Sequence, residues 1–261
     1  KMELKKKRPL DIVVARYNED ISWTKKYQPN IIIYNKGDDH IDSSIPLPNV
    51  GRESHTYLYH IISNYNQLAD RTVFIQGSQP TFGYSGSGKG GHLYSNYYFD
   101  DYIYGHGDPE LIVTSAVSTD LEKLYIRKGY NKYQNIDRPI SKMPLNNIQD
   151  HWLSPTSFTH FRTYLQQLKS SQKGNHNLKS FWKKYISNNY PLPPILYYNQ
   201  GAQFSVSRRV IQRKGLDYYR QLIQELEHDI NPYQGYYLEW LWPYILHNPL
   251  GVSPNEDYPN N

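Results

Sequence analysis

Two short apolar runs near the start of the chain constrain the fold most. Leu10–Ala15 in LDIVVARYNED and Asn30–Tyr34 in NIIIYNKGDD lack the polar alternation of a half-exposed strand. A continuous apolar strand is one buried on both faces, as in a parallel sheet between helices. The stretch between the runs, with Ser22, Trp23 and Tyr27, is long enough for a short helix. The chain therefore opens as a βαβ unit with a right-handed crossover. A third buried strand is expected at Thr72–Gln76. It follows a helix predicted from Arg52 to Leu68, whose Leu58, Ile61, Ile62, Tyr65 and Leu68 recur at helical spacing. Glu53 falls in the first turn of that helix, where a carboxylate suits the dipole. The fold class expected is α/β, with a mostly parallel mixed sheet flanked by helices.

The rest of the chain is read more coarsely. Residues 77–108 are rich in Gly, Ser and Tyr, and a stretch this long without periodicity is expected to be a functional lid or disordered. Its GSGKGG lacks the spacing of a phosphate loop. A strand is expected at Leu111–Thr114, and helices near 156–169 and 177–187. The prolines of NYPLPPILYY mark a loop. Gly201–Val206 reads as a strand and Ser207 as the cap of a helix. That helix breaks at Gly215 and runs on to about His228, and a last helix is expected over Tyr237–Leu246. The expected organisation is a basic tail over residues 1–9, one domain over 10–248 and a loose tail over 249–261.

Composition narrows the partners. Of 261 residues, 29 are Lys or Arg and 24 Asp or Glu, a net charge of +5. Part of that excess is Lys1, Lys5, Lys6, Lys7 and Arg8, a run expected to be a solvated tail. The remaining balance suits an anionic ligand such as a nucleotide diphosphate and is too weak to imply nucleic acid. With no cysteine, neither a disulfide framework nor a thiolate metal site can form. His55 and His60 lack the spaced partners of a zinc motif. No apolar run approaches the roughly 20 residues of a membrane span, and a cytoplasmic location is expected. The 27 tyrosines outnumber 7 phenylalanines, which suits either a polar-ligand cleft or simply the chain's compositional bias.

Position in the fold then picks out candidate site residues. In open α/β sheets ligands bind beyond the carboxyl ends of the strands. Arg16, Tyr17, Asn18 and Glu19 follow the first strand and are candidates for base and ribose contacts, or else form a charged turn. Lys36 ends the second strand in the same way. Arg52 opens a helix whose N-terminus suits an anion. Gln76, Gly77 and Ser78 follow the third strand and are expected to line a sugar site.

Four segments taken together carry a resemblance: VVARYNED (13–20), LPNVGRESHTYLYHI (47–61), TVFIQG (72–77), and GAQFSVSRRVI (201–211) with GYYLEWLWP (235–243). They resemble a family of fungal and algal-virus proteins long described only as a domain of unknown function. They are also similar to chlorovirus capsid-glycan glycosyltransferases, whose β-xylosyltransferases use UDP-xylose. The resemblance spans residues 10–247. It implies a GT-A-like domain that transfers a sugar, xylose by best match, onto a glycan hydroxyl such as one on fucose, in the cytoplasm of an infected cell. More distantly, GAQFSVSR and Glu239-Trp240-Leu241-Trp242 resemble core-2-type N-acetylglucosaminyltransferases. There the matching glutamate is the base of an inverting transfer, which implies that role for Glu239.

An inverting transfer needs one carboxylate to take the acceptor proton and positive charge beside the departing diphosphate. Many GT-A enzymes supply that charge with a metal on an Asp-x-Asp pair. The chain has none, since Asp38-Asp39 and Asp100-Asp101 are adjacent pairs. Basic side chains without metal are therefore expected, from Arg16, Arg52, Arg208 and Arg209, with His247 the one basic group after Glu239. Trp240 and Trp242 are expected to stack on the acceptor. A non-catalytic carbohydrate-binding module and a nucleic-acid-binding domain are the alternatives weighed.

Overall fold

The computed structural model describes residues 8–81, 99–104, 111–113, 141–144, 178–192, 195–198 and 202–246. The chain runs β1 (Leu10–Arg16), a 3₁₀ turn (Ser22–Tyr27), β2 (Ile31–Asn35), β3 (Ile45–Pro46), α1 (Arg52–Asn64), β4 (Arg71–Gln76), α2 (Phe99–Tyr104), β5 (Leu111–Val113), β6 (Ser141–Pro144), α3 (Leu178–Tyr185), β7 (Ile195–Tyr198), β8 (Phe204–Ser207), α4 (Arg208–Ile211), α5 (Leu216–Gln224) and α6 (Tyr233–Leu246). It is a mixed α/β fold. The central sheet has six strands in the order β3-β2-β1-β4-β8-β5. The first four are parallel, and β8 runs antiparallel to both β4 and β5. A separate two-stranded ladder pairs β6 with β7.

Burial explains the strand sequences. Ile12, Val13 and Val14 of β1 are all 0% exposed, so both sheet faces are covered there. Alternation along the strands puts Asp11, Val13, Phe74 and Phe204 on one face. Tyr57 of α1 packs its ring against both Phe74 and Phe204 on that face, and Trp242 of α6 reaches Tyr57 and Phe204. The indole Nε1–H of Trp242 donates to Ser54 Oγ of α1 at 3.1 Å. This ties α6 to the first turn of α1.

Most expected elements are present with small shifts. The first long helix ends at Asn64 and continues as a 3₁₀ turn over Tyr65–Gln67. Ser207 caps α4, its hydroxyl accepting from Val210 N–H, and Gly215 separates α4 from α5. The last helix begins at Tyr233, four residues early. Its Gln234 and Gly235 are buried with the aromatic residues that follow, so packing extends it past the sequence signal. ILYY, expected as loop after its prolines, is instead strand β7, because the apolar run beyond the prolines finds β6 to pair with. The helix expected at 156–169, most of the 77–108 stretch, and both tails apart from Arg8 and Pro9 lie outside the described residues. No described helix is long and apolar enough to cross a membrane.

At the end of the sheet where β1 begins, Asp11 lies 3.7 Å from His60 of α1, both buried. The Tyr34 hydroxyl meets His60 Nδ1 at 3.0 Å. Burial, then the Arg8 charge, pushes His60 down to about 3, and burial, then the Lys36 charge, pushes His55 to about 4. Burial raises Asp11 to about 6 against the pull of Arg8. The unfolded chain binds protons at both imidazoles below about pH 6.5, whereas the folded chain refuses them until far lower. Both histidines therefore make stability fall as pH drops. Asp11 has the opposite sign, since its folded carboxyl gains a proton first, and it offsets one of the two. We expect the urea unfolding midpoint to fall between pH 6.5 and 4.5; a midpoint that rises over that range would contradict these burial assignments.

Candidate functional site

The parallel strands set the place of the cleft. From β1 the chain moves outward to β2 and β3, then returns through α1 to β4 on the other side of β1. The carboxyl ends of β1 and β4 thus flank the point where the winding reverses, where a crevice opens in such sheets. A cleft of about 220 Å³ lies there, lined by Ala15, Arg16, Tyr17, Glu19, Lys36, Asn49, Arg52, Glu53 and Gln76. Five residues picked out by their place after the strands, Arg16, Tyr17, Glu19, Lys36 and Gln76, line this cleft together with Arg52, picked out at the start of a helix.

Their side chains do different work. Arg16 is committed to the fold: it makes a bidentate pair with Asp39 at 2.7 and 2.6 Å. It also donates to Asn35 Oδ1 at 2.8 Å and to the Glu19 carbonyl at 2.9 Å. It thereby holds the 17–19 loop against the end of β2, and the Asp39 hydrogen bond raises its pKa further. Glu19 Oε2 accepts from Tyr17 N–H at 2.7 Å. Tyr17, 45% exposed, is the one aromatic residue among the described residues that line the cleft. Asn18 is exposed on the same loop, and Ser78 is exposed just past β4. Gly77 gives the Glu19 carboxylate room, since a Cβ there would lie 2.5 Å from Glu19 Oε2.

The opposite wall is cationic. Lys36 is buried and donates to the Val50 carbonyl at 2.6 Å and to the Arg52 carbonyl. Burial lowers it to about 8, partly countered by Glu53. Arg52 lies with its guanidinium 4.1 Å from the Tyr236 ring centre. Its Nε is 3.6 Å from Glu53 Oε2 and its Nη2 is 3.9 Å from Glu239 Oε2. Glu239 is the one charged residue of α6, a helix whose other side chains from Gln234 to Leu246 are all buried. Through Arg52 it stands one ion pair from the cleft wall. Gly235 clears the space for Arg52, whose Cδ would lie 3.2 Å from a Cβ there.

Two expectations are corrected, and a third is untested. Trp240 and Trp242, expected on an acceptor sugar, are 2% and 1% exposed and belong to the core. Arg208 and Arg209 follow β8, whose Ser207 is in register with Arg71, the first residue of β4. Since β8 is antiparallel, this places them at the far end of the sheet, roughly 17 Å along the strand from Gln76. There Arg208 pairs with Asp70 at 2.5 Å. His247 lies outside the described residues.

Asn49 and Glu53 line the cleft and were not picked out as site residues. Glu53 reads from sequence as a helix-dipole carboxylate, and Asn49 as a turn residue before a helix. Gln203, 1% exposed, precedes β8 and accepts from Gln76 N–H through Oε1 at 3.2 Å, behind the cleft. Its signal was a polar residue directly before a buried strand. Among the described residues no group of three or more His, Asp or Glu is placed to hold a metal ion.

Fold and cleft together define an α/β protein with a charged crevice at the reversal of its sheet. The model of the family described as "Protein of unknown function (DUF3431)" matches residues 12–89 and 131–258, and the chain belongs to that family. No curated protein and no solved structure matches it significantly.

Two substitutions check this assignment of roles. A Cβ on Gly37 would lie 1.8 Å from the Tyr17 carbonyl oxygen, a contact only backbone movement can relieve. Gly37→Ala is expected to cost about 1–3 kcal/mol by the usual scale of overpacking and to distort the rim loop. Trp242→Ala is expected to cost about 3–5 kcal/mol as a core truncation. Urea denaturation reads both, and a Trp242→Ala protein of wild-type stability would return that residue to the surface.

Proposed function

We propose that the chain is a nucleotide-sugar-dependent glycosyltransferase of the GT-A type, acting by inversion with Glu239 as general base. The observation that carries this reading is the cleft at the sheet reversal, which combines a stacking ring, two cations and polar side chains. A nucleoside diphosphate has matching parts. Tyr17 offers a face to the base, and Asn49 and Gln76 offer hydrogen bonds. Lys36, Arg52 and the N-terminus of α1 offer positive charge to the diphosphate. The chain lacks an Asp-x-Asp pair, so these groups are assigned the leaving-group charge.

Glu239 fits the base for a chemical reason. A lone carboxylate in a buried helix is costly to keep unless it is paired or used. Arg52, whose Nη2 lies 3.9 Å from Glu239 Oε2, is also a cleft residue, so a diphosphate beside Arg52 couples donor binding to the carboxylate that would take the acceptor proton. The base removes the acceptor proton as the acceptor oxygen attacks the anomeric carbon and the nucleoside diphosphate departs. UDP-xylose as donor and a glycan hydroxyl such as one on fucose as acceptor rest on the similarity to chlorovirus capsid-glycan transferases. The Glu-x-Leu-Trp similarity to core-2-type enzymes supports Glu239.

Thermal shift against UDP, GDP and their sugars tests the ligand class, since a ligand of the native state raises the melting temperature. UDP-xylose is expected to give the largest shift, and none from any nucleotide would remove the reading. With donor and acceptor supplied, Glu239→Gln is expected to lose about 10²–10⁴-fold in kcat, the range for general base catalysis, while donor binding stays near wild type.

A further inference from the structure

We infer that Glu53 is a recognition residue of the cleft, whose carboxylate accepts hydrogen bonds from a vicinal diol of the bound sugar nucleotide. The inference rests on the nucleotide-sugar reading and adds the group that reads the ligand's hydroxyls. Glu53 lines the cleft, yet its side chain is only 9% exposed. Its Oε1 is buried without a hydrogen-bond partner. Its Oε2 is 3.6 Å from Arg52 Nε, an ionic contact longer than a hydrogen bond.

A buried carboxylate short of donors is expensive, and each such group in a folded protein calls for an explanation. No described protein donor reaches Glu53 Oε1. Lys36 Nζ donates to the carbonyls of Val50 and Arg52. The Tyr57 hydroxyl is buried beneath, without a partner of its own, and the Glu53 and Glu239 charges help burial to hold it protonated. The missing donors are thus to come from the cleft side. An anionic phosphate cannot supply them, because it offers acceptors only. A pair of sugar hydroxyls can, and a carboxylate accepts from two neighbouring hydroxyls at once. Lys36, Arg52 and the α1 N-terminus hold the phosphates close by, so the two ends of one ligand are read by groups of opposite charge on a single turn. The diol is that of the ribose or that of the transferred sugar, which share this chemistry.

Glu53→Gln keeps the shape and removes the charge. It is tested by calorimetric titration of UDP, 2′-deoxy-UDP and UDP-xylose, alongside the melting temperature without ligand. We expect the unliganded variant to melt at or above the wild type, because an unpaired buried charge has gone. Affinity for UDP-xylose should fall about tenfold with the loss of charge-assisted bonds. If the ribose is read, the wild type prefers UDP to 2′-deoxy-UDP and the variant does not. If the sugar is read, the two bind alike, and the wild type's preference for UDP-xylose over UDP shrinks in the variant. Unchanged UDP-xylose affinity in the variant overturns the role of Glu53 and leaves the nucleotide reading standing. So does a variant that melts well below the wild type and loses affinity only in proportion. Failure of the wild type to bind any of the three removes both.

Discussion

Arg52 begins helix α1 with its backbone in the left-handed region, at φ 54°, directly after Gly51 at φ 64°. For a residue with a Cβ that conformation costs free energy and persists only where the surroundings enforce it. Here they do so from three directions. Gly51 N–H donates to the Asp229 carbonyl, and a Cβ on Gly51 would lie 2.6 Å from Leu226 Cβ, so no larger residue fits. Lys36 draws the carbonyls on either side of Gly51, those of Val50 and Arg52, toward one ammonium. Gly235 of α6 leaves the space that the Arg52 side chain fills. The turn thereby delivers one guanidinium to the point where α1, α6 and the ends of the parallel strands converge, and the other charged groups of the cleft are arranged around it.

Charge pairing around this turn is close but loose. Arg16 is bound by hydrogen bonds of 2.6–2.9 Å to fixed partners, and its loop is accordingly a wall. Arg52 stands 3.6 and 3.9 Å from two carboxylates, ion pairs longer than hydrogen bonds. The contrast between the two arginines, both chosen from sequence as nucleotide contacts, sets one that builds the rim loop of the cleft beside one whose guanidinium lies over the Tyr236 ring between two carboxylates.

How much was legible in the sequence follows from what kind of information each feature needs. The apolar runs of β1, β2 and β4 locate the sheet, and residues placed after those strands fall in the cleft because the ends of parallel strands point the same way. What failed needed a direction or a depth. Arg208 and Arg209 follow β8, and only the antiparallel pairing of β8 with β4 reveals that they sit at the wrong end. Trp240 and Trp242 flank Glu239 in a helix buried almost all round, and no periodicity in GYYLEWLWP separates a core indole from a sugar platform. Glu53 obeyed a local rule, a carboxylate at a helix start, so its second position, over the cleft, gave no separate signal.

Buried side-chain atoms without partners cluster in two places, and the difference between them distinguishes structure from site. Asp11, His60 and Thr72 lie together at the amino end of β1 and β4. There the acid and the imidazole face each other, so each is the other's remedy, and the lowered His60 and raised Asp11 values favour neutral forms that need little else. Glu53, His55, Thr56 and Tyr57 lie on the first turns of α1, and none of these atoms has a hydrogen-bond partner. Local rules are broken where function requires it and satisfied elsewhere. A strained arginine and a carboxylate short of donors at the start of α1, with a buried lysine from the end of β2 bonded to the carbonyls there, are three such breaches side by side. Core packing alone has no use for any of them, because an apolar helix start capped by a serine would hold α1 at least as well.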